Sequence, residues 1–389
     1  MRCRLPLQHV SAVLCCWILL IGSTFAQDRL EETTEAAANL DTTRDWQSGW
    51  IQLFDQATPF GWRGVNPQDV QEGRLTLRAG NVVRTSAQFS EFTLHLKYRL
   101  AANSQAELLL LASPRALETG VDHMSLRLSS EQNQITVNVT TTDSSADAAT
   151  SMITHWFGGF NEQANLQSQR DEVKLGRGYI GFRVSEGTLQ IEQVSLLPTL
   201  PESDRYTSLE ESSGFDLRGV GQARAEVFEG AIAVRGGPGY LATTQSYADF
   251  VLSIDARAQA GTNSGVFFRC IPGDNLNGYE SQIHNGTVGG DRALPEDCGT
   301  GGIFRRVNAR RVVADEGQWF RKVILVCGGQ ISVWVNGYQV TDWSDQRPPN
   351  ENPRRGRRLA AGTIMLQAHD PGTQVEFKNL RIVELSERQ

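Results

Sequence analysis

Residues Asn263 to Asn285 carry the side chains best suited to chemistry. They read Asn263-Ser264-Gly265-Val266-Phe267-Phe268-Arg269, then a Gly/Asn-rich loop, then Gly278-Tyr279-Glu280-Ser281-Gln282-Ile283-His284-Asn285. Both flanks alternate as strands do, and in a strand successive side chains take opposite faces. Glu280, Gln282 and His284 therefore share one face, with Tyr279, Ser281 and Ile283 on the other. The same alternation sets Phe267 and Arg269 apart from Val266 and Phe268, so Arg269 is expected to join the polar row. A carboxylate, an amide, an imidazole and a guanidinium on one sheet face suit an oxygen-rich ligand such as a sugar. The bland alternative is an ordinary solvated sheet face. Nearer the C-terminus, Ile364, Leu366 and Ala368 alternate with Met365, Gln367 and His369, which brings a second glutamine and histidine toward the same cleft. Asp370 beside His369 is expected to cap the turn before Pro371-Gly372, or else to hold a cation.

The spacing limits which reaction such a row can run. Retaining glycoside hydrolysis needs two carboxyl groups about 5 to 5.5 Å apart, and inverting hydrolysis needs them further apart. Glu280 has no carboxylate partner at i+2 or i+4, where Gln282 and His284 stand. At about 3.4 Å per residue, Glu280 and His284 have backbones roughly 13 Å apart, so only a curved sheet brings their tips onto one sugar ring.

The elements that must hold this row are strands. Leu75-Thr76-Leu77, Phe92-Thr93-Leu94-His95-Leu96, Ile135-Thr136-Val137-Asn138-Val139 and Tyr179-Ile180-Gly181-Phe182 are short apolar alternations separated by turn residues. No long 3.6-residue period competes with them, so the chain reads as all-β. Asn336-Gly337 between alternating segments is a hairpin signal, since a type I′ turn needs positive φ at both central residues.

The second half also echoes the first. Glu72-Gly73-Arg74-Leu75 answers Glu229-Gly230-Ala231-Ile232, Phe92 answers Phe250, Gln134-Ile135 answers Gln330-Ile331, and Gly178-Tyr179-Ile180 answers Gly362-Thr363-Ile364. The later copy holds extra residues between its middle strands, and these contain the Glu280 row. In the earlier copy Asn103-Ser104-Gln105 leads into the apolar Leu108 to Leu111, with no arginine matching Arg269 and no Tyr-Glu-x-Gln-Ile segment. The expected organisation is a signal peptide over 1–26, a tether over 27–48, a degenerate β-sandwich over 49–197, a linker over 198–213 and a β-sandwich bearing the site over 214–386. His155-Trp156-Phe157 leaves open a different ligand for the first sandwich.

A chain of 389 residues is long enough for two such cores. Arg2 and Arg4, the apolar run Val10 to Ile21 and the small residue Ala26 form a secretory signal, and an uncleaved anchor is the alternative. Export to a secreted, periplasmic or cell-surface location follows from it, with no membrane span after cleavage. Loss of the two arginines takes the formal net charge from −7 to −9. An acidic protein repels phosphate backbones, which argues against nucleic acid as a partner. Cys270, Cys298 and Cys327 remain in the mature chain, either with one bridge among three pairings or as three buried thiols, and their spacing shows no zinc pattern.

Asn263-Ser264-Gly265, Phe267, Arg269, Gly278-Tyr279-Glu280, Gln282-Ile283, Gly301-Gly302-Ile303, Trp319-Phe320, Trp334-Val335-Asn336-Gly337 and Val375-Glu376-Phe377-Lys378-Asn379-Leu380 together resemble the 3-keto-disaccharide hydrolase domain family, over about residues 214–386. The resemblance implies a concanavalin-like sandwich, here two tandem concanavalin/laminin-G-like domains, and cleavage of glycosides already oxidised at C3. A ketone at C3 acidifies the hydrogen on C2, so one base suffices, and the resulting enolate expels the C1 substituent before water adds back. On that implication Glu280 or His284 is the base and Arg269, or a bound cation, steadies the enolate oxygen. Asn263, Gln282, Gln367 and His369 orient the carbohydrate. Trp334, with Trp319 and Trp343, lines the cleft unless it is core, the commoner fate of such residues. The arginine-rich stretch Arg347 to Arg358 reads as an exposed loop. No cofactor motif is present, and a divalent cation is the one addition left open. A non-catalytic, lectin-like carbohydrate-binding protein is the rival reading, and an adhesion protein of two packed sandwiches a third.

Overall fold

The computed structural model describes residues 48–113, 124–144, 148–157, 171–173, 177–198, 206–209 and 214–385. The expected signal peptide, all but the last residue of the tether and most of the linker lie outside the described residues. Within the linker, Tyr206–Ser208 forms a short strand against Gln374–Glu384. No described helix is long and apolar enough to cross a membrane.

The described chain is built of strands in three sheets. The first half contributes an eight-stranded and a five-stranded sheet, which close on one core. Strand Phe92–Leu100 sends Phe92, Leu94, Leu96 and Tyr98 inward, and Gln105–Ala112 with Tyr179–Glu186 supplies Leu108, Leu110, Ile180 and Phe182 from the opposite side. The second half is one eleven-stranded sheet curled on itself. Strand Ala231–Tyr247 makes the curl, because Ile232–Arg235 pairs with Gln374–Glu384 while Gly239–Tyr247 pairs with Gly362–Ala368. Gly236 and Gly237 lie between the two stretches with φ of 76° and 135°, a bend that a side chain would oppose. Val266, Phe268, Ile364 and Leu366 then meet Leu252, Ile254, Phe320 and Ile324 across the enclosed core. Asn336 and Gly337 carry φ of 49° and 79° and join Gln330–Val335 to Tyr338–Ser344, as the hairpin signal requires.

Both halves fall within one compact unit, Arg44–Gln389. Val251, Val323, Leu325 and Cys327, on the outer face of the second half, join the first core. Polar contacts seal the seam: Arg63 to Asp342 at 2.9 Å, Arg177 to Asp249 at 2.6 Å and Arg310 to Asp55 at 2.8 Å.

One irregularity occurs in both halves. Leu111 and Arg269 have left-handed φ of 51° and 49° inside their strands, and pairing with the neighbouring strand slips in register nearby. A glycine faces each slip: a Cβ on Gly178 would lie 2.1 Å from the Leu111 carbonyl carbon, and one on Gly362 2.2 Å from the Cys270 carbonyl oxygen.

Candidate functional site

Strand register gathers the row. Gln282 lies opposite Gly265 and Glu280 opposite Phe267. Phe267 lies opposite Met365, so Gly265 runs alongside Gln367, which lies opposite Tyr240. Two transverse rows result on the face turned away from the core, Gln282-Gly265-Gln367-Tyr240 and Glu280-Phe267-Met365-Ala242, with strands about 4.8 Å apart. Gly265 is the gap in this floor. A Cβ there would sit 2.9 Å from both Cγ and Oε1 of Glu280, so the glutamate leans over the space that glycine leaves. Phe267, Met365, Tyr240 and Cys270 form the apolar bed beneath.

The row is more enclosed than the alternation alone implies. Glu280 is 5% exposed, Gln282 1% and Gln367 7%. Burial disfavours the charged carboxylate and lifts Glu280 to about 7, helped by Asp297 and opposed by Arg354, His369 and Lys322. The Arg354 guanidinium stands 3.4 Å from Glu280 Oε2, over the Phe267 ring at 5.3 Å, and its Nε donates to the Leu276 carbonyl at 3.3 Å. The Asp297 carboxylate accepts from the side-chain amides of Asn263 at 2.7 Å and Gln282 at 3.0 Å. Asn263 Oδ1 and Gln367 Oε1 are buried acceptors with no hydrogen-bond partner, an arrangement native proteins seldom keep. His369, exposed at the strand end, meets Asp370 at 2.8 Å, and Asp370 caps the turn by accepting from the Gly372 N–H at 2.7 Å.

Three expected members stand elsewhere. Arg269 does not join the row: its left-handed φ breaks the alternation, and the guanidinium turns to a buried structural clamp. It donates to the carbonyls of Ala248, Gly328 and Arg358 at 2.8, 2.8 and 2.9 Å and to Asp249 at 2.7 Å. Trp334 is 1% exposed in the seam between the halves, with Nε1 donating to the Gln52 carbonyl at 3.0 Å, so it is core and not a sugar platform. His284 follows the strand's last residue, Ile283, and its ring faces Thr262 and Glu296. Nδ1 lies 3.3 Å from the Thr262 carbonyl oxygen and Nε2 3.5 Å from the Glu296 carboxylate. Cys270, Cys298 and Cys327 are free, buried thiols, so no disulfide forms among the described residues.

Two residues beside Glu280 were not anticipated. Arg354 belongs to the stretch expected to be an exposed loop, yet that loop is pinned. Arg347 binds both Asp345 oxygens, at 2.9 and 2.8 Å, and Arg358 binds Glu351 at 2.8 Å. Arginine density was the only signal. Asp297 supplies the second carboxylate that the alternation lacks, from an irregular segment where Asp297 and Cys298 both hold positive φ, 42° and 74°. Its Pro-Glu-Asp-Cys-Gly context announces a turn and nothing about its partner. A divalent cation would have to share Glu280 and Asp297 with these arginine and amide donors. Among the described residues, no group of three His, Cys, Asp or Glu side chains gathers as a metal site.

Comparison with known proteins places these features in context. A solved structure from Parabacteroides distasonis ATCC 8503, named a "putative glycosyl hydrolase", is similar over 48% of this chain and 99% of its own, at 21% identity and a TM-score of 0.38. The carbohydrate binding module CBM66 from Bacillus subtilis is similar over 44% of this chain and 96% of its own, at 13% identity and a TM-score of 0.34. No curated protein matches the chain. Residues 206–383 match the family model of the 3-keto-alpha-glucoside-1,2-lyase-like domain, in agreement with the motifs around Glu280 and Trp334.

Proposed function

We propose that the second half of this chain cleaves 3-keto-glycosides, with Glu280 as the base that removes the C2 proton. The observation that carries the reading is a desolvated carboxyl, lifted to about 7, leaning over Gly265 beside Arg354. A base matched to neutral pH combines adequate ionisation with adequate basicity. As the C2–H bond breaks, its proton passes to Glu280 and its electron pair forms the enolate, whose oxygen at C3 is met by Arg354. The enolate then re-forms the C3 carbonyl and places a double bond between C1 and C2 as the C1–O bond breaks. The departing oxygen takes a proton, for which the donor is exposed His369, an imidazole in electrostatic contact with Glu280. Gln282, Asn263 and Gln367 orient hydroxyls. Addition of water to the enone completes a net hydrolysis, and release of the enone makes the same chemistry a lyase.

The first half is proposed as a degenerate copy. Its matching bulge and glycine support this, and its strand Gln105–Ala112 carries leucines in place of polar groups. Export is proposed from the N-terminal basic and apolar pattern.

The test is incubation of the mature chain with a 3-keto-glucoside, following loss of substrate and the ultraviolet absorbance of the conjugated enone. Turnover that falls about a hundred- to ten-thousand-fold in Glu280→Gln supports the assignment. Saccharide binding without turnover gives the site to a carbohydrate-binding function instead.

A further inference from the structure

Lys322 is the buried charge that this mechanism leaves unused. It lies on strand Trp319–Cys327, where Phe320, Ile324 and Val326 share its inward face in the second core. The side chain is fully buried, and among the described residues no carboxylate forms an ion pair with it. An ammonium in such a place is costly unless something specific holds it. What holds it is the site strand: Nζ donates to the Ser281 carbonyl at 3.1 Å and to the Gln282 carbonyl at 2.8 Å. Those carbonyls belong to the backbone whose other face carries Glu280 and Gln282. The Gln282 carbonyl also accepts the Gly301 N–H at 2.9 Å, in the irregular segment that delivers Asp297.

We propose that Lys322 is a positioning residue for the candidate site: reaching across the core, its ammonium holds the backbone from Glu280 to Gln282 and keeps the Glu280 carboxyl aimed over Gly265. The proposal rests on reading the Glu280 row as the site. A cation at this point also acts on Glu280 through the thickness of one strand. Arg354 and His369 favour the ionised carboxyl from the solvent side, Asp297 disfavours it, and Lys322 favours it from the core side. Burial pushes Lys322 down to about 7, and Glu280 and the Cys298 thiol act against that to keep the ammonium charged. A lysine that only braces the sandwich would hold the strand without setting the protonation of Glu280, and this separates the two roles.

The experiment titrates Glu280 directly, by NMR of selectively labelled glutamate carboxyls, in the wild-type chain and in Lys322→Met and Lys322→Gln, alongside turnover of a 3-keto-glucoside. Loss of the positive charge is expected to raise the Glu280 midpoint and shift the acid limb of the activity profile upward. Turnover is expected to fall roughly ten- to a hundredfold in Lys322→Met as the carboxyl loses its aim. Lys322→Gln, which keeps a donor for one carbonyl, should recover part of the turnover and none of the midpoint. Should the core variants fail to fold, the reciprocal measurement stands in Glu280→Gln, where the Lys322 midpoint should fall relative to wild type. An unchanged Glu280 midpoint in a folded Lys322→Met, or an unchanged Lys322 midpoint in Glu280→Gln, overturns the proposal. Absence of turnover in the wild type would sink the enzymatic reading alone, since the titrations need no substrate.

Discussion

Replacing Glu280 by glutamine should cut turnover about a hundred- to ten-thousand-fold and, above neutral pH, make the protein more stable. Burial lifts the carboxyl from 4.5 to about 7, and each pKa unit corresponds to about 1.36 kcal/mol. The difference amounts to about 3 kcal/mol. Its sign follows from proton binding: between the two values the folded state holds a proton that the unfolded state has released. Stability is therefore fully present below about pH 4.5 and declines as the pH rises toward 7, because the buried carboxyl must ionise. Glutamine has nothing to ionise and escapes that decline. The variant gives up the 3.4 Å contact with the half-exposed Arg354, worth under about 1 kcal/mol. The net gain is about 2–3 kcal/mol at pH 8.5, a rise in Tm of about 3–5 °C for a chain of this size, and close to nothing at pH 4. Calorimetry of both proteins from pH 4 to 9 measures it. A Tm difference that is the same at every pH would refute the claim that Glu280 is desolvated, and with it the reason for naming it as the base.

Gly265→Ala should cut turnover roughly ten- to a hundredfold, since the new methyl would stand 2.9 Å from Glu280 and push the carboxyl from its place, while Tm changes little. Arg269→Met should instead destabilise the fold by about 3–5 kcal/mol, because four donor contacts vanish from a buried site, and leave turnover of the folded fraction nearly unchanged. A large loss of turnover at unaltered Tm would return Arg269 to the site. Thiol titration of the chain lacking residues 1–26 should find three cysteines, unreactive when native and all reactive in denaturant. Burial raises Cys298 to about 12 and Cys327 to about 11. A count of one would mean a disulfide.

Alternation alone was enough to bring Glu280, Gln282 and Gln367 to one face, because a regular strand fixes which side each residue takes and pairing fixes the neighbours. It failed at Arg269, where a single left-handed residue reverses the facing and turns an expected catalytic arginine into a clamp. Its substitute, Arg354, comes from a loop more than seventy residues away, and nothing in its local pattern points to Glu280. Asp297 was hidden for the same reason, since irregular segments carry no period from which a facing can be read. Trp334 had a strand's alternation to announce that it faces outward, but only the packing of the two halves covers that face.

The order of apolar and polar residues therefore determined that this protein is all-β, where its turns fall and which side chains share a sheet face, because these depend on near neighbours in the chain. Tertiary structure decided which of those faces is buried, which arginine stands beside Glu280 and that a lysine grips its strand from behind. Those outcomes depend on segments far apart in sequence meeting in a low-dielectric interior, where the energy of a charge is set by what surrounds it.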